Sequence, residues 1–197
     1  MDEPDDPAGR WPCAGAPDGL LLGKVLITEA EITSRIGELA AEISRDYSER
    51  PPLLVGILKG AFVFMADLAR AICLPVEMDF MAVSSYGAAT KTSGIVRIVK
   101  DLDADLSGRH VIVVEDIVDS GLTLSYLHKG LAARHPASLE ICALLVKRGQ
   151  QRTSTRVAYT GFEIPPEFVV GYGLDVAERW RNLPDIRLAH PAGAVTA

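Results

Sequence analysis

Cysteine is scarce in this chain. Cys13, Cys73 and Cys142 are the only three in 197 residues, too few and too scattered for a disulfide framework or a zinc site. They read as reduced thiols of a cytoplasmic protein, with Cys73 and Cys142, which lie in apolar runs, expected as buried small hydrophobes. No apolar run approaches the roughly 18 residues of a membrane span, so no membrane partner is expected. Basic blocks are also missing. Lys and Arg number 20 against 26 Asp and Glu, a net charge of −6, which argues against nucleic acid as the main partner and leaves room for a local cationic site for a small anion. His110, His128, His135 and His190 have neither metal-ligand spacing nor a nucleophile partner. Neither GxxxxGK[ST] nor GxGxxG occurs, which removes the main support for a nucleoside triphosphate or dinucleotide fold. The acidic start, "MDEPDDPAGRWPCAGAPDG", has no basic n-region and is not read as a signal peptide.

The remaining composition, 48% hydrophobic and 23% charged, suits one α/β domain with a sizeable core. Residues 1–20, rich in Pro, Gly, Asp and Ala, are expected to form a disordered tail, residues 21–192 a single domain, and 193–197 a short C-terminal tail. Order is expected from about Lys24. "KVLIT" reads as a strand, and Thr28 with Glu31 as a capping box. Ile32, Ile36, Leu39, Ala40 and Ile43 then recur at helical spacing up to about Tyr47. "LLVGIL", "VEMDFMAV", "IVRIVKDL", "VIVV", "LEICALLVK" and "VAYTGFEI" read as strands. "GAFVFMADLARAIC" and residues from about Ser120 to Arg134 read as helices between them. Ser84 to Gly94 reads as a long polar loop. A short strand at "FVVGYGLD", a helical turn around Glu178 to Asn182 and a strand near "IRLA" close the chain. Strands alternating with helices predict a mainly parallel sheet flanked by helices. Ligands of such sheets bind beyond the carboxyl ends of the strands, where Lys59, Glu115 to Thr123, Lys147 and Asp175 fall.

"VIVVEDIVDSGLTL", Val111 to Leu124, is the most informative stretch. A buried strand runs into Glu115 and Asp116, then Asp119, then a small polar turn. Backbone N–H groups of Asp119, Ser120, Gly121, Leu122 and Thr123, at a turn entering a helix, form a cup for one phosphate. Glu115 and Asp116 would repel a phosphate in that cup. They are better used on sugar hydroxyls or on a divalent cation. Together these describe a site for a ribose 5-phosphate. The plainer reading is a strand end with two solvated acids and a helix capped by Asp119 or Ser120.

The whole string resembles the phosphoribosyl pyrophosphate motif of the type I phosphoribosyltransferases. "GILKGAFVF", "SSYG", "LLVKR", "GFEIP" and "FVVGYGLD…RWRNLP" narrow the resemblance to the hypoxanthine-guanine phosphoribosyltransferases, over roughly Lys24 to Leu188. The resemblance implies the type I fold with a small hood built from N- and C-terminal segments. It implies transfer of a 5-phosphoribosyl group to a 6-oxopurine with Mg2+, giving IMP or GMP and pyrophosphate, in a homodimer or homotetramer. Leu58, Lys59 and Gly60 look like the pyrophosphate loop, whose Leu-Lys peptide is often cis in the family. The family commonly has a second glycine where this chain has Ala61. Ser85 and Tyr86 are similar to the start of the family's lid. Asp175, with Glu115 and Asp116, corresponds to the metal contacts, and Arg181 to a pyrophosphate contact on the last helical segment.

By the same resemblance Lys147 donates to O6 of the purine, Phe168 stacks on the base and Val169 faces its N1 or N2 edge. Asp119 acts as general base toward N7, with Leu122 lending only its N–H. Taken without the family, Lys59 and Asp175 are loop residues, Phe168 and Val169 are core, Lys147 is a snorkelling strand-end lysine and Arg181 lies on a solvated face. Two alternatives share the fold. One is an enzyme preferring xanthine or guanine. The other is an RNA-binding regulator that senses phosphoribosyl pyrophosphate, for which the acidic composition offers no basic face.

Overall fold

The structure is a computed structural model that describes residues 20–85 and 96–191. The expected tails, apart from Leu20, together with Cys13 and Tyr86, lie outside the described residues. The chain divides into two compact units, residues 1–34 with 167–197, and residues 35–166.

The larger unit is built on a six-stranded sheet. Its strands are β2 (Leu53–Leu58), β3 (Glu77–Ser85), β4 (Val96–Lys100), β5 (His110–Val118), β6 (Ser138–Lys147) and β7 (Tyr159–Ile164), in the order β4-β3-β2-β5-β6-β7. All neighbours are parallel except β3 and β4. Helix α2 (Phe62–Ala71) connects β2 to β3, and α3 (Leu122–Ala132) connects β5 to β6. Val111 to Val114 and Leu53 to Ile57 are all buried, which is why these strands read as unbroken apolar runs rather than alternating ones. Leu53, Val55, Ile57, Val111 and Val113 share a core with Leu124, Leu127 and Leu131 of α3. Gly56 lets α2 pack closely on the other face, where a Cβ would meet Met65 Sδ and the Phe80 ring.

The β5 strand is longer than its apolar start suggested. Ile117 and Val118 continue the ladder opposite Leu145 and Val146, so Glu115 and Asp116 lie inside the strand. Successive strand residues point to opposite faces. Glu115 is buried at 8% exposure, whereas Asp116 is half-buried.

Helix α1 (Glu29–Asp46) spans the division between the units. Its capping box is formed: the Thr28 N–H donates to Glu31 Oε2 at 2.8 Å and the Glu31 N–H to Thr28 Oγ1 at 3.3 Å. The bonds that its carboxylate accepts from the Thr28 N–H and from the Thr28 hydroxyl, the latter at 2.7 Å, hold the Glu31 carboxyl below its usual range. The smaller unit pairs β1 (Leu20–Ile27), β9 (Ile186–Pro191) and β8 (Val169–Val170) in the antiparallel order β1-β9-β8. N- and C-terminal segments thus form a small sheet of their own, as the resemblance implied. β1 begins at Leu20 rather than Lys24, because Leu20 to Leu22 find partners in Ala189 to Pro191. Inside this unit Arg187 and Asp185 make a buried two-point ion pair at 2.9 and 2.8 Å.

Two further expectations are corrected. Residues 178–182 are a turn, not a helical one: Ala177, Glu178 and Trp180 have φ of 49°, 65° and 74°, outside the right-handed helical region. Val176 and Arg179 exchange backbone hydrogen bonds across that turn instead. Cys73 is exposed beyond the end of α2, while Cys142 is buried in β6. The raised pKa of Cys142, caused first by burial, keeps it a thiol.

Asp79 of β3 ties the β4–β5 connection to the sheet. Its Oδ2 accepts the N–H groups of Asp103 and Ala104 at 2.8 and 2.9 Å, and Oδ1 accepts that of Phe80 at 2.7 Å. Burial raises the carboxyl's pKa, but the three N–H bonds and Lys100 outweigh it and leave the group below its ordinary value. A depressed folded-state pKa contributes stability above the unfolded value, about 3.9, that is lost as pH falls through the folded value. Asp79→Asn puts an NH2 against backbone donors and is expected to cost about 1–3 kcal/mol in urea unfolding at pH 7. The difference from wild type should narrow below about pH 4; a gap independent of pH would contradict this role.

Candidate active site

The order β3-β2-β5-β6 reverses the direction of chain progress between β2 and β5, and this switch leaves a crevice beyond their carboxyl ends. The residues singled out in the larger unit gather along that edge. Leu58 ends β2, and the Leu58–Lys59 peptide is cis. Gly60 packs directly on Asp116, since a Cβ at Gly60 would overlap Asp116 Oδ2. Any larger residue there would have to push the Asp116 carboxylate aside. Ala61 is buried in right-handed conformation as the N-cap of α2, so this position needs no glycine.

The turn from Asp119 to Thr123 reaches α3 through Gly121, the N-cap residue, at φ 74°, a conformation that glycine adopts without penalty. No side chain caps the helix. Ser120 Oγ lies 3.5 Å from the Leu122 N–H, at the limit of a hydrogen bond. Neither Asp119 nor Ser120 is therefore a helix cap in the ordinary sense. The first-turn N–H groups are left for an external acceptor, the feature expected of an anion cup. The turn is braced from behind by the β6–β7 connection: the Arg152 N–H donates to the Ser120 carbonyl at 2.9 Å, and a Cβ at Gly121 would stand 2.8 Å from Thr153 Oγ1. Arg152 and Thr153 carried no local signal of this role, because the contact crosses about thirty residues of sequence.

Asp119 has a different partner. Its Oδ2 accepts a hydrogen bond from Lys147 Nζ at 3.0 Å. Lys147 ends β6 with its side chain 14% exposed, and Asp119 is 57% exposed. An ammonium and a carboxylate thus stand side by side at the start of this turn. Glu115 is the contrasting group. Burial, and then the charge of Asp116, hold its carboxyl well above the usual range, which favours the protonated form in the free chain.

In the smaller unit, Phe168 precedes β8 and is 50% exposed, while Val169 is buried. Phe168 is thus no core residue, and its ring is available for stacking. Asp175 accepts the Glu178 N–H at 2.8 Å through Oδ2 and pairs through Oδ1 with Arg181 at 2.9 Å. Arg181 also donates to the Gly173 carbonyl at 2.8 Å, and its Nε is buried with no hydrogen-bond partner among the described residues. Ser85 is the last residue of β3.

Among the described residues no group of three or more His, Cys, Asp or Glu is placed to hold a metal ion. Of the two acids expected to hold Mg2+, Glu115 is buried and Asp116, on the opposite face of β5, is half-buried and the better placed to meet the ion. This ion is commonly held by one or two carboxylates, with substrate oxygens and water completing its shell. Likewise, among the described residues no helix is long and apolar enough to cross a membrane.

Comparison with known proteins agrees with this geometry. Residues 27–177 match the phosphoribosyl transferase domain family. A hypoxanthine-guanine phosphoribosyltransferase of Mycobacterium avium is 52% identical over 176 residues, covering 86% of this chain and 87% of the relative. One from Bacillus subtilis (strain 168) is 51% identical over 171 residues, covering 87% and 95%. The crystal structure of a hypoxanthine phosphoribosyltransferase from Staphylococcus aureus superposes with a TM-score of 0.83 at 43% identity, covering 86% of this chain and 92% of that one. The chain belongs to the type I phosphoribosyltransferases, in their hypoxanthine-guanine branch.

Proposed function

We propose that the chain transfers the 5-phosphoribosyl group of phosphoribosyl pyrophosphate to N9 of hypoxanthine, and of guanine, forming IMP or GMP and pyrophosphate in purine salvage. The observation that carries this reading is the Lys147–Asp119 pair at 3.0 Å beside the turn. A 6-oxopurine presents O6 and N7 as neighbouring groups on one edge. The ammonium of Lys147 donates to O6, and the carboxylate of Asp119 takes the proton from N7. Adenine offers an amino donor at that place, which an ammonium cannot accept. As the N9–C1′ bond forms, the bond from C1′ to pyrophosphate breaks and its electron pair leaves with the pyrophosphate oxygen.

The remaining residues take roles by the same reading. Ser120, Gly121, Leu122 and Thr123, with the Asp119 backbone, hold the 5-phosphate. Glu115 and Asp116 bind the ribose hydroxyls and Mg2+, with Asp175 as a further metal contact. When bound, the cation neutralises charge on the departing pyrophosphate. Leu58, Lys59, Gly60 and Arg181 bind pyrophosphate, Phe168 stacks on the base, the Val169 backbone reads its edge, and Ser85 and Tyr86 begin a lid that keeps water from C1′. Residues 21–192 act as one functional domain, in the cytoplasm.

Self-association into a dimer or tetramer is part of the proposal. The exposed apolar face of α2 and β3, with Phe62 at 56% and Met78 at 55% exposure, supports a second copy as its cover. That face adjoins a cavity of about 550 Å3 lined by Phe62, Met65, Met78 and Phe80, a large apolar surface for a monomer.

Four outcomes are expected. Purified protein with Mg2+ and phosphoribosyl pyrophosphate forms IMP from hypoxanthine and GMP from guanine; no product with hypoxanthine, guanine or xanthine would overturn the activity. Asp119→Asn lowers kcat about 100- to 10,000-fold, and a loss below tenfold would remove the general-base role. Lys147→Met raises KM for hypoxanthine about tenfold or more. In sedimentation velocity, Met78→Asp shifts the assembly to smaller species; an unchanged profile would place the interface elsewhere.

A further inference from the structure

A second polar cavity, of about 690 Å3, lies in the larger unit along the flank of α3, and none of residues 119–123 line it. Ser125, His128 and Lys129 contribute from α3, spaced i, i+3 and i+4 on a face other than the buried Leu124–Leu127–Leu131 stripe. Arg152, Ser154, Thr155 and Arg156 contribute from the β6–β7 connection. The lining therefore carries three permanent cations and several hydroxyl donors, against one carboxylate, Glu140.

These cations differ from their neighbours in making no direct ion pair, although Arg156 also lines a neighbouring pocket with Glu42 and Asp46. Arg148 pairs with Glu163, Arg134 with Asp101 and Lys147 with Asp119. Among the described residues, no ion pair or hydrogen bond engages the charged ends of Lys129, Arg152 or Arg156. Acids are not in short supply, since the chain carries 26 of them against 20 basic residues. Like charges gathered around one concavity repel one another and raise the local potential, so the arrangement is most favourable with an anion inside it. A single phosphate would leave most of the volume empty, and the lining has no Phe, Tyr or Trp on which a base could stack.

We propose that this cavity is a second anion site, which takes a small molecule bearing two or more linked phosphate groups. Lys129, Arg152 and Arg156 supply the charge, and Ser125, Ser154 and Thr155 supply neutral donors. The site is also wired to the first one. Arg152 and Thr153 line the cavity and brace the Ser120–Gly121 turn from behind. An anion that orders this connection thereby steadies the 5-phosphate turn, a step that rests on the reading of that turn given above.

The test is calorimetric titration of the full chain with inorganic tripolyphosphate, without Mg2+ and at low ionic strength, so that no turnover is involved. Two classes of binding are expected in wild type. The double substitution Lys129→Gln/Arg156→Gln, on exposed side chains outside the reaction machinery, should weaken one class about tenfold or more and leave the unliganded melting temperature and the rate of IMP formation unchanged. Thr123→Ala should weaken only the other class. A wild-type isotherm with a single class that Thr123→Ala weakens, or titrations of the double variant that superpose on wild type, would overturn the second site. Failure of IMP formation would leave these isotherms readable, so the two proposals fail independently.

Discussion

β2 and β5 hydrogen-bond to each other at the centre of the six-stranded sheet, and every residue from Leu53 to Ile57 and from Val111 to Val114 is buried. Neither strand can place an unpaired polar side chain within that span without a penalty of several kcal/mol. Polar function is therefore driven to the carboxyl ends, where Lys59 and Gly60 follow β2 and the acids close β5. Because α2 and α3 depart to join strands on opposite sides of this pair, the edge between them stays open. The crevice, the glycine packed on Asp116 and the uncapped start of α3 are consequences of that central pairing. Leu127, buried beneath α3, serves the candidate site as much as the fold, since the helix it anchors follows directly on the Asp119–Gly121 turn.

Much of this was legible in the sequence because the deciding interactions are local or periodic. Unbroken Val/Ile runs announce strands buried on both faces, Thr28 and Glu31 announce a helix start, and the Asp-Ser-Gly-Leu-Thr turn carries its own geometry. What could not be read depended on distant partners. β1 reaches back to Leu20 because Pro191 and His190 lie opposite. Asp79 resembles any strand acid until Asp103 and Ala104 donate to it. The turn at 177–180 follows from left-handed backbone at Ala177, Glu178 and Trp180, residue types that gave no warning of it. Phe168 shows the limit of composition as a guide, since an aromatic next to two valines reads as core and stands half exposed. The family resemblance gives it a stacking role instead, for a reason that hydrophobicity alone does not contain.

In the free chain the candidate groups satisfy one another. Asp119 holds Lys147, and in the other unit Asp175 holds Arg181. An ion pair with one well-exposed member is worth about 0–1 kcal/mol, enough to orient both side chains and little enough to give up. Under the proposed roles, a purine edge offering O6 and a proton on N7 would replace that bond with two, so exchange would be favoured only for a base that serves both partners. Arg181 has the same character, because a guanidinium whose Nε lacks a partner gains a charge-assisted bond when an anion arrives. Glu115 is the opposite case: burial and the neighbouring Asp116 charge already oppose its ionisation. A cation nearby would favour its charged form. Under the proposed roles, selection by the Lys147–Asp119 pair rests on which ligand atoms can release its two charges from each other, more than on the shape of the crevice.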